Sequence, residues 1–220
     1  MQHLVLPHTR EVFLRLLEQY SEAIWPLQLF VYALGLLIVA SIAWPYKASD
    51  RLISGLLAAI WLWLGIVYHA IYYFTINWVG GVFTLFFVLE GVLFVWTGLL
   101  HGALRFRLTK DPVGRFAVCL IVIALSALPL AFLALHYPLS NAPLLATATY
   151  PTTLFTLGVL LLADARAPWH LLTIPILWAF AAGAMEWETG APYAWIMPLA
   201  GIAAAAVAFQ KNRLGPKSTA

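Results

Sequence analysis

Charged residues are scarce in this chain of 220 residues, since Asp, Glu, Lys and Arg make up only 10% of it. About 25% is usual for soluble domains. Cysteine is nearly absent as well, and Cys119 stands alone. A disulfide within the chain and a cysteine-based metal site are therefore excluded. The chain also lacks a glycine-rich phosphate-binding loop, so no motif points to nucleotide chemistry.

Residues that could hold a cofactor are few and poorly spaced. Haem needs histidines at matched depth on facing helices, and only His101 with His170 fits that pattern. A zinc site needs about three ligands, and only His69, Glu186 and Glu22 could approach one another. A retinal-type Schiff base needs a lysine inside an apolar run, and all four lysines lie outside such runs: Lys47, Lys110, Lys211 and Lys217. The sequence therefore predicts no cofactor and no resident metal.

The chain is instead rich in long apolar runs, and 63% of its residues are hydrophobic. A helix needs about 20 apolar residues to cross a hydrocarbon core of about 30 Å. We therefore predict an all-α, polytopic membrane bundle with seven transmembrane helices. The runs are Ile24–Trp44, Leu52–Phe74, Trp78–His101, Phe116–His136, Leu144–Ala163, Trp169–Met185 and Pro192–Phe209.

The basic residues lie on one side of these runs. Ten of the twelve lysines and arginines follow the first, third, fifth or last run, and only Arg10 and Arg15 fall on the other side. Because basic loops stay in the cytoplasm, the N-terminus is predicted outside and the C-terminus inside. Membrane topology also accounts for the net charge of +3, so the charge does not indicate a nucleic-acid partner. Anionic lipid headgroups are an expected partner near the Arg105–Arg115 cluster.

The two ends of the chain differ from the spans. Val12, Phe13, Leu16 and Leu17 share one face of a predicted helix that ends near Tyr20. Such a helix lies on the outer membrane surface, or it packs over the mouth of the bundle. The predicted segments are an interfacial helix over 1–23, a seven-helix domain over 24–209, and a frayed, polar cytoplasmic tail over 210–220.

Prolines predict two departures from straight helices. Pro151 fits only the first turn of a helix, because an interior proline removes a hydrogen bond and clashes. From Pro151 to Ala163 the helix would be about 20 Å long, too short to cross alone. We therefore predict a fifth span that is broken, with its helix beginning inside the membrane. Pro175 is expected to kink the sixth span.

Several segments together resemble one family. They occur in the same order over most of the chain: EAIWPLQ (Glu22–Gln28), LWLGIVYHAIYYFTIN (Leu62–Asn77), LRF (Leu104–Phe106), TYPTTLFTLGVLLL (Thr149–Leu162) and IPILW (Ile174–Trp178). The pattern is similar to the domain-of-unknown-function 6064 family of bacterial integral membrane proteins. The resemblance implies a helical membrane fold in a bacterial membrane, and it brings no catalytic residues because the family has no assigned activity.

Glu90 is the main candidate for chemistry. It lies about 17 Å above the cytoplasmic end of its span, near the midplane, where an ionisable residue is costly and is a functional candidate by default. On an α-helix, Glu90, Thr97 and His101 would form one polar stripe. The stripe is either a proton or cation path, or Glu90 is a protonated packing residue bonded to a neighbouring span. Its candidate partners by depth are Tyr32, Thr152, Thr153 and Trp178.

Two further groups could take part. Thr152 and Thr153 lie at the depth of Glu90, where a helix beginning at Pro151 would present positive amides to an anionic group; alternatively, both only cap the backbone. His69 lies about 25 Å up its span, toward the outer face. With Tyr72, Tyr73, Gln28 and Glu186 it could line an outer vestibule. Alternatively, the aromatic residues at this level form the belt of the outer interface, which is the favoured interpretation for them: Tyr72, Tyr73, Trp78, Trp187 and Trp195.

The favoured function is a small-molecule or ion transporter that is coupled to protons through Glu90. A membrane-embedded enzyme or metal-site protein that uses His69 and Glu186 is an alternative. A third alternative is an accessory subunit without chemistry of its own. A transporter needs a polar path from both faces to Glu90, an enzyme needs a closed cluster of ligands, and an accessory subunit needs neither.

Overall fold

The computed structural model describes residues 10–127, 130, 134, 144–145, 147–164, 166–188 and 194–214. These residues are all-helical and include no β-strand. In chain order the helices of the described residues are α1 (Arg10–Ile24), α2 (Leu27–Ala43), α3 (Ser49–Thr75), α4 (Gly80–Leu100), α5 (Pro112–Ala127), α6 (Thr149–Leu161), α7 (Trp169–Glu188) and α8 (Ile196–Leu214). By length and composition, two of them, α3 and α4, could cross a membrane, or three candidate spans result if the bent pair of α1 and α2 is counted as one.

The N-terminal helix is a separate element, as its amphipathic sequence predicts. Helix α1 meets α2 at an angle of 83°, with the break between Ile24 and Leu27. The buried face of α1 includes Leu16 and Tyr20, while Arg15 and Glu18 are exposed. Within the first apolar run, the membrane-type helix thus begins at Leu27 rather than at Ile24.

Helices α3 and α4 form a close antiparallel pair that depends on glycine. A Cβ added at Gly91 would lie 2.6 Å from Leu62 Cγ and 3.1 Å from the carbonyl oxygen of Ala58. Further along, a Cβ at Gly65 would lie 3.0 Å from Phe87 Cβ. The missing side chains let the two backbones approach, as small residues do between helices in membranes.

Three helices change winding near one end, which the sequence analysis did not predict. The π-helical stretches are Leu64–Tyr72 in α3, Val95–Leu100 in α4 and Ile123–Ala127 in α5. A π-helix closes its hydrogen bonds over five residues instead of four, so it rotates the side chains that follow it. Two of these stretches carry predicted site residues, His69 and Thr97.

Helix α6 is the buried centre of the bundle. It begins at Thr149, two residues before Pro151, and ends at Leu161, so the predicted start of this helix is confirmed. Its residues are all buried except Tyr150, which is half-buried, and it packs against α5, α7 and α8. A Cβ at Gly158 would lie 2.7 Å from the carbonyl oxygen of Ala117 on α5.

Helices α7 and α8 pack together, and α7 runs through Pro175 without a break. Small residues of α8 face inward: Gly201, Ala204 and Ala208 are buried, and a Cβ at Gly201 would lie 3.1 Å from Ala179 Cβ. The prediction of a frayed tail from residue 210 was wrong for 210–214, because α8 continues to Leu214.

Polar contacts join several elements at one end of the bundle, here called the basic end. Lys211 Nζ donates to the carbonyl oxygens of Leu161, at 2.9 Å, and Ala163. Leu161 is the last residue of α6, so its carbonyl oxygen has no partner within the helix, and Ala163 follows just beyond that end. The Asn212 side chain forms hydrogen bonds with both the N–H and the carbonyl oxygen of Ala167. The Asp50 carboxylate accepts hydrogen bonds from the backbone N–H of Phe106 and from the Arg107 side chain. An antiparallel bridge pairs Phe106 with Ala163.

The outer surface of the bundle is apolar along the helices. Exposed side chains include Phe30 on α2, Leu85 on α4, Leu177 on α7 and Leu199 on α8. Large exposed apolar surface on several helices at once is unusual for a soluble monomer. The predictions for 128–129, 131–133 and 135–143, which include most of the outer end of the fourth run, lie outside the described residues.

Candidate functional site

Aromatic rings surround His69 in the interior of the bundle. His69 is 1% exposed. Its ring centroid lies 4.5 Å from that of Phe87 on α4 and 5.2 Å from that of Trp178 on α7. Phe87 and Trp178 are themselves 4.8 Å apart. We call Tyr68, His69, Tyr73, Phe83, Phe87 and Trp178 the aromatic cluster.

Three polar side chains in this region are buried without a hydrogen-bond partner among the described residues. They are Glu90, through both carboxyl oxygens, His69, through both ring nitrogens, and Trp178, through its indole nitrogen. Glu90 is completely buried and follows Phe87 by one helical turn on the inner face of α4. Ser41 on α2 is the remaining buried side chain of this kind in the part of the chain that the structure describes.

The predicted partners of Glu90 are occupied elsewhere or do not reach it. The Tyr32 hydroxyl donates to the carbonyl oxygen of Leu125. Thr152 and Thr153 donate to the carbonyl oxygens of Ala148 and Thr149, four residues back, at 2.8 Å and 2.7 Å. Both hydroxyls thus bond to carbonyl oxygens of their own chain segment. The packing hypothesis for Glu90 expected a bond to a neighbouring span, and no such bond is present among the described residues.

The polar stripe from Glu90 to the basic end is not continuous. Glu90 is buried, whereas Thr97 is half-buried and His101 is exposed. Thr97 Oγ1 lies 3.1 Å from His170 Nε2 on α7, and His101 Nδ1 donates to the Trp96 carbonyl oxygen at 2.6 Å. The π-helical winding that begins at Val95 rotates these residues away from the alignment expected for an α-helix.

The residues predicted to line an outer vestibule lie in two separate sets of contacts. Tyr150 donates to Glu186 Oε1 at 2.6 Å, which joins α6 to α7. The Tyr72 ring instead lies 5.1 Å from the Tyr20 ring of α1, and Gln28 is buried at the start of α2. The expectation that Tyr73 belongs to the interface belt was wrong, because it is 2% exposed within the aromatic cluster. The belt tryptophans Trp78, Trp187 and Trp195 are exposed as expected.

Trp61, Phe87 and Thr156 were missed by the sequence analysis. Trp61 is fully buried on α3, its ring lies 4.6 Å from Phe87, and its indole N–H donates to Thr156 Oγ1 at 3.0 Å. The Trp61 side chain thus links α3 both to α6 and to α4, the helix that carries Glu90. The sequence did contain a signal for Trp61, because Trp61 and Tyr68 are two helical turns apart and therefore share one face of α3.

The metal-site alternative gains no support from the described residues, among which no three His, Cys, Asp or Glu side chains come together. His69 contacts aromatic rings, and Glu186 is bonded to Tyr150. The two residues named for that alternative therefore take part in different contacts.

Comparison with protein families extends the resemblance of the sequence segments. The model of a family of unknown function, DUF6064, matches residues 10–218. The chain belongs to the DUF6064 family. The match covers every described helix, so the aromatic cluster and Glu90 lie within the family's region. Searches of curated proteins and of solved structures give no match.

Proposed function

We propose that this DUF6064 protein is a multi-pass protein of the bacterial cytoplasmic membrane, with seven spans, an external N-terminus and a cytoplasmic C-terminus. The apolar side chains exposed on α2, α4, α7 and α8 support contact with lipid. The basic end supports the orientation, because the segments around Arg51, Arg107, Arg166 and Lys211 meet there. The short helix α6 and the turn before it together supply the fifth span.

We further propose that the protein transports a small solute or ion and that Glu90 carries the coupled proton. The observation that supports this proposal is the burial of Glu90, His69 and Trp178 together without partners. Buried polar groups are normally satisfied, and unsatisfied ones call for a water, an ion or a ligand. A structural carboxyl group would be expected to bond to a neighbouring helix, as Tyr32 and Trp61 do.

Contacts at both ends of the bundle cover this cluster, so transport would require them to open. On the proposed outer side, α1 lies over the cluster, with Phe13 against Tyr73 and Tyr20 against Tyr68. Movement of α1 about its junction with α2 would expose these tyrosines. On the basic side, Thr97 Oγ1 of α4 lies 3.1 Å from His170 Nε2 of α7.

The experiment measures proton movement in liposomes that contain the purified protein and a pH-sensitive dye. An equimolar mixture of tetramethylammonium, glycine and glycerol is present on both sides, and a pH gradient is imposed. The wild type should dissipate the gradient several-fold faster than protein-free liposomes. Glu90→Gln should be as slow as protein-free liposomes, because Gln keeps the size of the side chain and cannot release a proton.

Glu18→Gln is the matched control, because it makes the same chemical change at a residue that is exposed on α1. It should behave as the wild type. A Glu90→Gln variant that folds and dissipates the gradient at the wild-type rate would leave Glu90 as a packing residue, which is the accessory-subunit alternative. Equal rates for the wild type and for empty liposomes would also reject the proposal.

A further inference from the structure

The charge around the buried cluster is unbalanced. Glu90 is the one buried Asp or Glu among the described residues, and no described Lys or Arg side chain is buried. An ionised carboxylate in such a place needs a compensating positive charge, because burial of an unpaired charge is costly. The helices supply no such charge, so either a proton or one bound monovalent cation must provide it.

The aromatic rings that pack on Phe87, one turn from Glu90 on α4, favour an organic cation over a metal ion. Phe87, one turn away, lies against the rings of Trp61 and Trp178. Aromatic faces attract ammonium groups, and Trp does so most strongly. A metal ion instead requires several oxygen or nitrogen ligands. No three metal-ligating side chains meet among the residues that the structure describes.

We propose that the transported solute is a small organic cation with one positive charge, an alkylammonium or quaternary ammonium ion, and that it alternates with a proton on Glu90. The inference rests on the proposed function and names its substrate class. When the cation binds at the protonated carboxyl group, that group gives up its proton to solvent and the resulting carboxylate pairs with the cation. When a proton returns to the carboxylate, the cation is released. A single carboxylate cannot neutralise both at once, so the exchange is one for one.

Other titratable groups near Glu90 do not reverse the expected dependence on pH. His69 faces the same cluster, with Tyr68 and Tyr73 around it. The remaining titratable groups on the packed helices that have defined partners are Asp50 with Arg107, His170 with Thr97, and Glu186 with Tyr150. A fall in pH protonates Glu90, and a proton on His69 would repel the cation as well. Affinity should therefore rise with pH, by up to about tenfold per unit where the carboxyl titrates.

Calorimetry on the full-length protein tests this proposal, with tetramethylammonium as the probe. Titrations in two buffers of different ionisation enthalpy count the protons released. We expect one proton per cation, no binding of the neutral near-isostere tert-butanol, and no competition from sodium. Glu90→Gln should lose binding, and Glu18→Gln should keep it. Trp178→Leu should weaken binding roughly tenfold, whereas Trp178→Phe, which keeps an aromatic ring, should retain most of it.

The possible failures can be told apart. If Glu90 is needed to dissipate the pH gradient but tetramethylammonium does not bind, the substrate class is wrong and the proposed function stands. Binding that persists in Glu90→Gln, or competition by sodium, also overturns the organic-cation proposal. If the gradient assay shows no protein-dependent flux, the proposed function itself fails. Glu90→Asp covers the case in which the Gln variant does not fold, because Asp keeps the carboxyl group and should keep the release of one proton.

Discussion

Trp61 shows how a single side chain can hold three helices together. Its indole N–H donates to Thr156 Oγ1 at 3.0 Å in a fully buried position. Thr156→Val keeps the side-chain shape and removes the acceptor, so the indole N–H loses its partner. We predict a loss of about 1–3 kcal/mol in the free energy of unfolding. Denaturation in detergent, followed by tryptophan fluorescence, would measure it.

The matched comparison is a double-mutant cycle with Trp61→Phe. Once the indole N–H is gone, Thr156→Val should cost much less, so the two changes should not be additive. If Thr156→Val proves as stable as the wild type, the hydrogen bond does not contribute to the stability of the bundle.

Individual residues were predictable where depth along the chain decides their place. Glu90 was placed inside the bundle by counting residues from the end of its run, and it is fully buried. The role of Tyr73 was not predictable in this way. Whether an aromatic ring near a helix end faces lipid or the interior depends on which neighbour covers it, and here Phe13 of α1 lies against it.

The contact between α5 and α6 depends on Gly158, where an added Cβ would lie 2.7 Å from the Ala117 carbonyl oxygen and 2.8 Å from Ile121 Cγ1. Gly158→Ala should lower the stability by about 1–3 kcal/mol, because a backbone atom cannot move aside cheaply. Gly55→Ala on α3 is the control, since its nearest neighbour would be Leu99 Cδ1 at an ordinary 3.6 Å.

The control should be neutral or should gain about 0.5–1 kcal/mol, because alanine favours the helix. Thermal unfolding of both variants in the same detergent would compare them. A Gly158→Ala variant as stable as Gly55→Ala would show that α5 and α6 do not pack this closely.

The ends of a helix were predictable where a local rule, such as the geometry of proline, sets them. They were less predictable where packing against other helices sets them. The start of α6 follows from the geometry of Pro151 alone, and it was predicted within two residues. The π-helical stretches in α3 and α4 follow no composition rule. The stretch in α4 rotates Thr97 and His101 relative to Glu90, compared with a regular α-helix. Similarly, the extension of α8 through Lys211 depends on contacts with the end of α6.

For the molecule as a whole, the distribution of basic residues predicts the topology. Reporter fusions near residues 108 and 215 should report a cytoplasmic location, and a fusion near residue 140 should report an external one, because Lys and Arg are retained on the cytoplasmic side. Fusions at all three positions should be expressed at comparable levels for the comparison to count. An external signal at residue 108 would contradict the proposed orientation.

The most direct measurement of the proposed chemistry is infrared difference spectroscopy of the membrane-embedded protein across a pH step. It detects the C=O stretch of a protonated carboxyl group as that group gains or loses its proton. We predict a pH-dependent band that disappears in Glu90→Gln and persists in Glu18→Gln, because Glu90 is the one buried acid among the described residues. Identical difference spectra for the wild type and for Glu90→Gln would contradict a proton-carrying role for Glu90.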